Sequence, residues 1–382
     1  MLAFIRWLAA VVVALLRPGA VSAAAEPIRI GSFLSLTGPY AVMGDPEKKT
    51  LELYIERLNA AGGVLGRTIE LIAFDDASDP ARAASLMKRL IESERVDFVI
   101  GGSGTPTSLA AIPLAEKAGL PYLSLGCGFQ YIYPVKTSVF KMPHPDRLVA
   151  EKVLVEMQAR GLTRIGLLSE NVGFGKSGRE QTVQVAVRMG IDIAADESYG
   201  PKDADVTAQL TRIKATPDVQ ALFIFGTGAG PAVAIRNVRQ IGLSLPVYLT
   251  HGVASKDFLR LVGTAADGMR LPAAGLAVAE QLADGDSQKA MVLDYKTLYE
   301  AAFKEEVSQF GGHALDALNI AVAALKQVGS TDKARFRDAV ERTANYMGTG
   351  GSVTFSPSDH LGLKLESLHM VEVRDGAFAL SD

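Results

Sequence analysis

The sequence predicts an α/β protein of two lobes, each a doubly wound, mainly parallel sheet flanked by helices, the two joined by a three-segment hinge. Three observations lead there. Continuous apolar, β-branched runs alternate with amphipathic stretches until about residue 345, as parallel strands covered on both faces require. The alternation forms two series, broken at Met142-Pro143-His144-Pro145. A chain of 382 residues is too long for one ordinary core and sufficient for two.

Residues 1–25 read as a signal peptide, with Arg6 ahead of an apolar run Leu8–Leu16 and a small-x-small tripeptide, Val21-Ser22-Ala23. That run is too short to span a bilayer, and no cysteine lies near the cleavage region to carry a lipid. The mature chain is therefore expected to be exported and periplasmic. In its first series the expected strands are Ile28–Phe33, Thr68–Phe74, Asp97–Gly101 and Tyr122–Leu125, with helices over Asp45–Ala60, Ala81–Glu92 and Ser108–Lys117. The second series has strands Arg164–Ser169, Ala221–Phe225 and Val247–Thr250, with helices Arg147–Arg160, Lys176–Met189 and Pro231–Gln240.

Ala290–Lys304, Leu315–Val328 and Lys333–Ala344 are helical without intervening strands. Gly348-Thr349-Gly350-Gly351 then leads to strand-like Ser352–Phe355, Leu368–Val373 and Ala377–Leu380. Sending these helices to the first lobe and the strands to the second gives lobe 1 as 26–143 plus 276–348, and lobe 2 as 144–275 plus 349–382. Three crossings at one edge form a hinge, and the cleft between such lobes is where ligands bind.

Composition narrows the function. With 39 basic and 42 acidic residues the net charge is −3, which suggests neither nucleic acid nor an anionic membrane as partner. The single cysteine, Cys127, rules out an internal disulfide, so stability rests on the packed cores.

Several motifs invite chemistry. Asp75 and Asp76 end a strand, and neighbours there point to opposite faces, which suits turn or capping roles better than joint acid–base work. Gly101-Gly102-Ser103-Gly104-Thr105-Pro106-Thr107-Ser108 joins a strand to a helix. Thr105 suits an N-cap and Pro106 the first helical position, and the open N–H groups make an anion site that needs no basic side chain. Cys127 has no basic neighbour in sequence and is expected to line a pocket. Gly173-Phe174-Gly175-Lys176-Ser177-Gly178 matches a dinucleotide pattern, but Glu170-Asn171-Val172 separates it from the strand, and Glu170 stands where a P-loop needs glycine. An NAD-dependent oxidoreductase is thus the distant enzymatic alternative. His144, His251, His313, His360 and His369 show no metal-ligand spacing, and no Gly-x-Ser-x-Gly elbow occurs. No cofactor, metal or catalytic residue is expected.

The chain resembles the branched-chain-amino-acid-binding family of type I periplasmic binding proteins, which serve ATP-driven transporters. The resemblance is carried by Ile28-Arg29-Ile30-Gly31, Leu36-Thr37-Gly38-Pro39-Tyr40, Asn59-Ala60-Ala61-Gly62-Gly63-Val64-Leu65-Gly66, Phe74-Asp75-Asp76-Ala77-Ser78-Asp79-Pro80, Val99-Ile100-Gly101-Gly102 and Phe174-Gly175-Lys176-Ser177-Gly178, in order along the mature chain.

By this resemblance Thr105, with Ser103 beside it, meets a ligand carboxylate. The loop Ser124-Leu125-Gly126-Cys127-Gly128 stands where amino-acid binders supply a carbonyl and a threonine hydroxyl, and Gly126 and Gly128 leave room instead. Phe174 closes over the ligand, Thr227 and Gly228 follow a second-lobe strand, and Gly228 replaces a frequent aromatic. His251 occupies the position of the carboxylate that pairs with a ligand ammonium. An ammonium buried against histidine would cost several kcal/mol. The expected ligand is therefore a carboxylate without an α-ammonium, an aromatic or hydrophobic organic acid, with Tyr40 and Met43 lining its apolar part. A branched-chain amino acid or amide, bound for transport or sensing, is the alternative. The implied partner is an inner-membrane ABC permease, and a monomer is expected.

Overall fold

The computed structural model describes residues 25–381, so all of the expected signal peptide but Ala25 lies outside the described residues. Among the described residues one sheet holds β1 (Ile28–Leu34), β2 (Ile69–Asp75), β3 (Phe98–Gly101), β4 (Tyr122–Ser124) and β5 (Val139–Lys141), in the order β2-β1-β3-β4-β5. The other sheet adds β6 (Arg164–Glu170), β7 (Asp192–Tyr199), β8 (Ala221–Phe225), β9 (Val247–Tyr248) and β10 (Arg270–Ala274). These run β7-β6-β8-β9-β10, which repeats the first order. All pairings within these two runs are parallel. A hairpin of β11 (Tyr346–Gly348) and β12 (Gly351–Val353) stands apart, while β13 (Leu368–Arg374) and β14 (Ala377–Leu380) extend the second sheet antiparallel from β10.

The helices are α1 (Ala41–Ala60), α2 (Pro80–Glu92), α3 (Thr105–Ala118), α4 (Asp146–Ala159), α5 (Gly173–Met189), α6 (Thr207–Ala215), α7 (Gly230–Gln240), α8 (Lys256–Val262), α9 (Lys289–Phe303), α10 (Gln309–Val328) and α11 (Lys333–Glu341). Alternate residues of the second-lobe strands serve opposite faces of their sheet. Leu167, Phe223 and Phe225 join a core with Val149, Val153 and Val185 of α4 and α5. Leu168, Leu222 and Ile224 join one with Leu210, Ile235 and Phe258 of α6, α7 and α8. A strand buried on both faces has no room for a polar alternate, which is why these segments read as unbroken apolar runs. The first lobe's core gathers Ile30, Phe33, Ile100 and Leu123 with Leu318 of α10 and Phe336 of α11.

Packing in the tail departs from the expected division. Val353, Phe355, Leu361 and Leu363 lie in the first core, not the second, so the chain passes to the second sheet only at β13. Val292, Tyr295 and Tyr299 of α9 lie in the second core, although Tyr295 also bonds Thr50 of α1 at 2.7 Å between hydroxyls. Four strands had no expectation, β11 among them. β5 is three residues long, β7 is partly exposed and carries acids, and β10 contains Pro272 opposite Met370. Helix α1 starts at Ala41, ahead of Asp45, and Gly44 in its first turn packs on Ser35, where a Cβ would stand 2.2 Å from the carbonyl oxygen. No helix among the described residues is long and apolar enough to cross a membrane.

Candidate functional site

Both sheets turn their carboxyl ends toward the same space, and the loops there meet. A Cβ on Gly173, at the start of α5, would lie 3.2 Å from both the Tyr40 hydroxyl and the Pro106 ring of the first lobe. Gly228, at φ +67°, faces the carbonyl of Pro39, and Cys127 Sγ lies 3.7 Å from His251 Nε2.

In the β3–α3 turn the cap sits one residue earlier than expected. Gly104 is the N-cap, its N–H donates to Thr107 Oγ1 at 3.3 Å, and Thr105 is already helical. The Thr105 hydroxyl is consequently released from capping. The residue is only 4% exposed, its carbonyl accepts from the Tyr131 hydroxyl at 2.8 Å, and its Oγ1 has no partner among the described residues. A buried hydroxyl without a partner, in the first turn of a helix whose amides lack intrahelical acceptors, is arranged for an anion. Ser103 beside it is engaged, accepting from the Ser35 N–H at 3.0 Å and donating to Glu47, a fully buried carboxyl that burial raises well above its usual value.

The 124–128 loop is tighter than expected. Ser124 donates to Ser108 at 3.1 Å and accepts from the Gly126 N–H at 3.3 Å, so it holds the turn. A Cβ on Gly126 would meet the Tyr131 hydroxyl at 2.6 Å, and one on Gly128 would meet the Thr105 methyl at 2.9 Å. The absent side chains therefore admit Tyr131 and Thr105 and do not enlarge the cavity. Gly228, where a Cβ would meet only the Pro39 carbonyl at 3.7 Å, lines a groove of about 220 Å³ with Pro39, Val42, Val253, Phe258, Leu261 and Phe310. Tyr40 is half-buried near the cleft mouth and Met43 is buried in the first turn of α1.

From the second lobe, Phe174 sets its ring 4.9 Å from Phe225 and edge-on to His251 at 5.6 Å. Thr227 donates to the Gly252 carbonyl at 2.8 Å, and a Cβ on Gly252 would stand 3.1 Å from Phe174. His251 opens a short turn beyond β9 and does not end the strand. It is 2% exposed, Gln309 donates to its carbonyl at 2.6 Å, and its Nδ1 lacks a partner in hydrogen-bond geometry among the described residues. Burial, and then the charge of Lys141, lowers its pKa to about 3, an effect the nearby carbonyl of His144 tempers.

Cys127 and His251 look like a nucleophile and its base, but their proton affinities point the wrong way. Burial pushes the half-buried Cys127 thiol up to about 11 while the imidazole stays neutral, so the pair does not form a thiolate and an imidazolium. Asp75 accepts from the N–H groups of Leu36, Thr37 and Ala77, and Asp76 from the Ser35 hydroxyl and the Ser78 N–H, which are the expected turn roles. Among the described residues no group of three or more histidine, cysteine, aspartate or glutamate side chains could hold a metal ion.

Sequence reasoning missed several buried polar groups here. Glu170, which served only to dismiss a P-loop, ends β6 at 6% exposure. Burial raises its carboxyl to about 7, and its charge acts on Tyr40 across the cleft. Lys141 precedes the interlobe crossing and His144 lies in it, and His313 and Gln309 lie in the first turns of α10. The prolines of Met142–Pro145 mark a break and say nothing of His144, and a lone histidine in an apolar helix offers no signal.

Comparison with known proteins agrees with this architecture. The family model described as periplasmic binding protein matches residues 27–377. The leucine-, isoleucine-, valine-, threonine- and alanine-binding protein of Pseudomonas aeruginosa is 22% identical over 338 residues, 86% of each chain. An extracellular ligand-binding receptor from Rhodopseudomonas palustris superposes with TM-score 0.86 at 27% identity, over 93% of this chain and 99% of that one. The branched-chain amino acid transporter substrate binding protein LivJ of Streptococcus pneumoniae, in complex with isoleucine, gives TM-score 0.80 at 23% identity over 92% and 97%. The two-lobed fold, the cleft between matched parallel sheets and the family match together make this chain a type I periplasmic binding protein of the branched-chain-amino-acid-binding family.

Proposed function

We propose that the chain is the periplasmic solute-binding component of an ABC import system and takes a small carboxylate without an α-ammonium, an aromatic or hydrophobic organic acid. The observation that carries this reading is the unpartnered, buried Thr105 hydroxyl in the first turn of α3, facing a second lobe that presents neutral His251 where an ammonium would need a carboxylate. In this mechanism lobe 1 receives the carboxylate through Thr105 and the first-turn amides. Hinge closure brings Phe174 and His251 over the remainder, and the ligand shifts the population toward the closed form that an inner-membrane permease reads. The binding unit is a monomer.

A second reading, amino-acid binding, is favoured by Glu170, a buried carboxyl that faces Tyr40 and is able to meet an ammonium. The names of the Pseudomonas and Streptococcus relatives lend it weight. A thermal-shift screen of leucine, valine, benzoate, phenylacetate, hydroxycinnamates and short oxo-acids separates the two. An acid at 100 times its dissociation constant adds about 2.7 kcal/mol of stability. Stabilisation by leucine alone overturns the carboxylate reading.

A further inference from the structure

Behind His251 lies a second set of buried polar groups. Lys141 ends β5, fully buried, and its ammonium donates to the carbonyl of Pro143. Among the described residues it makes no ion pair. The neighbouring acid, Asp146, already accepts from Ser177 and from the Arg147 N–H at 2.9 Å. His144, in the crossing between the lobes, shares a hydrogen bond of 2.8 Å with Ser367 through Nε2, and its ring centre lies 6.4 Å from that of His251. Its Nδ1 has no partner among the described residues, nor have His313 Nδ1 and Gln309 Oε1, and all three residues are at least 96% buried.

Leaving one buried donor or acceptor unmet costs about 1–3 kcal/mol, and an unpaired buried charge costs more. The unpaired charge of Lys141 from β5 and unmet atoms from the interlobe crossing, the β9 turn and α10 lie near one another, which a purely structural role does not require. The other titratable groups around them do not answer the need. Asp316, one turn beyond His313, accepts from the Thr349 N–H and hydroxyl at 2.8 and 2.9 Å and from the Gly350 N–H at 3.1 Å. Cys127 holds its proton, and His369 adds a further basic group that acts on His144.

We infer that the ligand carries a second anionic group, seated among Lys141, His144 and His313 beside His251, and is therefore a dicarboxylate with an apolar middle. This rests on the carboxylate reading above. One carboxylate takes Thr105 and the first turn of α3, Phe174 covers the middle, and the other carboxylate offsets the Lys141 charge and accepts from imidazoles that take up a proton as it binds. A carboxylate offers about four lone-pair sites, enough for several donors at once. Burial lowers Lys141 to about 8, and burial together with the neighbouring His251 and Lys141 lowers His313 to about 3. An anion in their midst acts in the opposite sense, so binding takes up protons.

The test is calorimetry on the mature chain with matched pairs: phenylacetate against 1,4-phenylenediacetate, benzoate against terephthalate, and hexanoate against adipate. For at least one pair the diacid should bind about tenfold tighter than its monoacid, with a heat that depends on the ionisation enthalpy of the buffer. In Lys141→Met, which keeps the apolar stem, and independently in His313→Gln, that ratio should fall to about one, with a thermal melt confirming the fold. Diacids no tighter than their monoacids, or a ratio that persists in a folded variant, overturn the inference and leave the carboxylate reading in place. Binding of leucine with no acid bound overturns both.

Discussion

Thr105→Val should raise the stability of the free protein while weakening ligand binding, an opposition that few substitutions produce. Valine keeps the branched shape and the methyl that packs on Gly128, and it disturbs no hydrogen bond, because the Thr105 Oγ1 makes none among the described residues. At 4% exposure that hydroxyl is cut off from water, so deleting it removes a desolvation penalty of about 1–3 kcal/mol. The bond it makes to a carboxylate is charge-assisted and contributes about 1.5–3 kcal/mol, so affinity should fall roughly 10- to 100-fold. Urea unfolding of the free protein gives the first sign, and calorimetry with the tightest acid of the screen gives the second. A loss of stability would mean that the hydroxyl has a structural partner, and unchanged affinity would remove Thr105 from the site.

Three other outcomes follow from the packing and the buried charges. Gly178→Ala should destabilise by about 1–3 kcal/mol despite the ~1 kcal/mol that alanine favours in a helix. Its Cβ would stand 1.9 Å from Phe225, whose ring is confined by Phe174 and Phe223, and a raised melting temperature would show that the ring yields. His251→Glu should weaken acid binding about tenfold through like-charge repulsion, and titration of the variant showing wild-type affinity would exclude His251 from contact. His313 has its folded pKa lowered to about 3 by burial, then by His251 and Lys141. As pH falls below about 6.5 the unfolded chain gains a proton there that the folded chain refuses, and stability drops by about 1.4 kcal/mol per pH unit. His313→Gln should therefore lose about 2 kcal/mol less than wild type between pH 7 and 5. Equal losses in denaturant titrations would contradict the buried, neutral imidazole.

Much of the legible fold is buried on both faces, although half-buried β2 is legible too and β5, wholly buried but three residues long, is not. Segments such as Ala221–Phe225, wholly buried, announce themselves by apolar continuity. β7, partly exposed and acidic, and β10, interrupted by Pro272, are held by their neighbours and leave no such trace. The site divides along the same line. Thr105 and Phe174 lie in the first turns of helices whose start signals are local, and the sequence locates the first cap to within one residue and the second helix start to within three. Lys141, His144 and His313 come from segments more than 160 residues apart at the extremes, and only tertiary packing brings them together. Tyr131 shows the reverse error: without it, Gly126 and Gly128 suggest empty space.

The winding of the chain between its two halves also bears on biosynthesis. The first core waits for Phe355, Leu361 and Leu363, and the outer edge of β10 stays unpaired until β13 has been made. The first half therefore cannot finish before Leu363 has been made, nor the second before β13, which begins about fifteen residues from the end. Trimming the β13–β14 hairpin should accordingly leave the outer edge of β10 bare and take Val371, Val373 and Phe378 out of the second core.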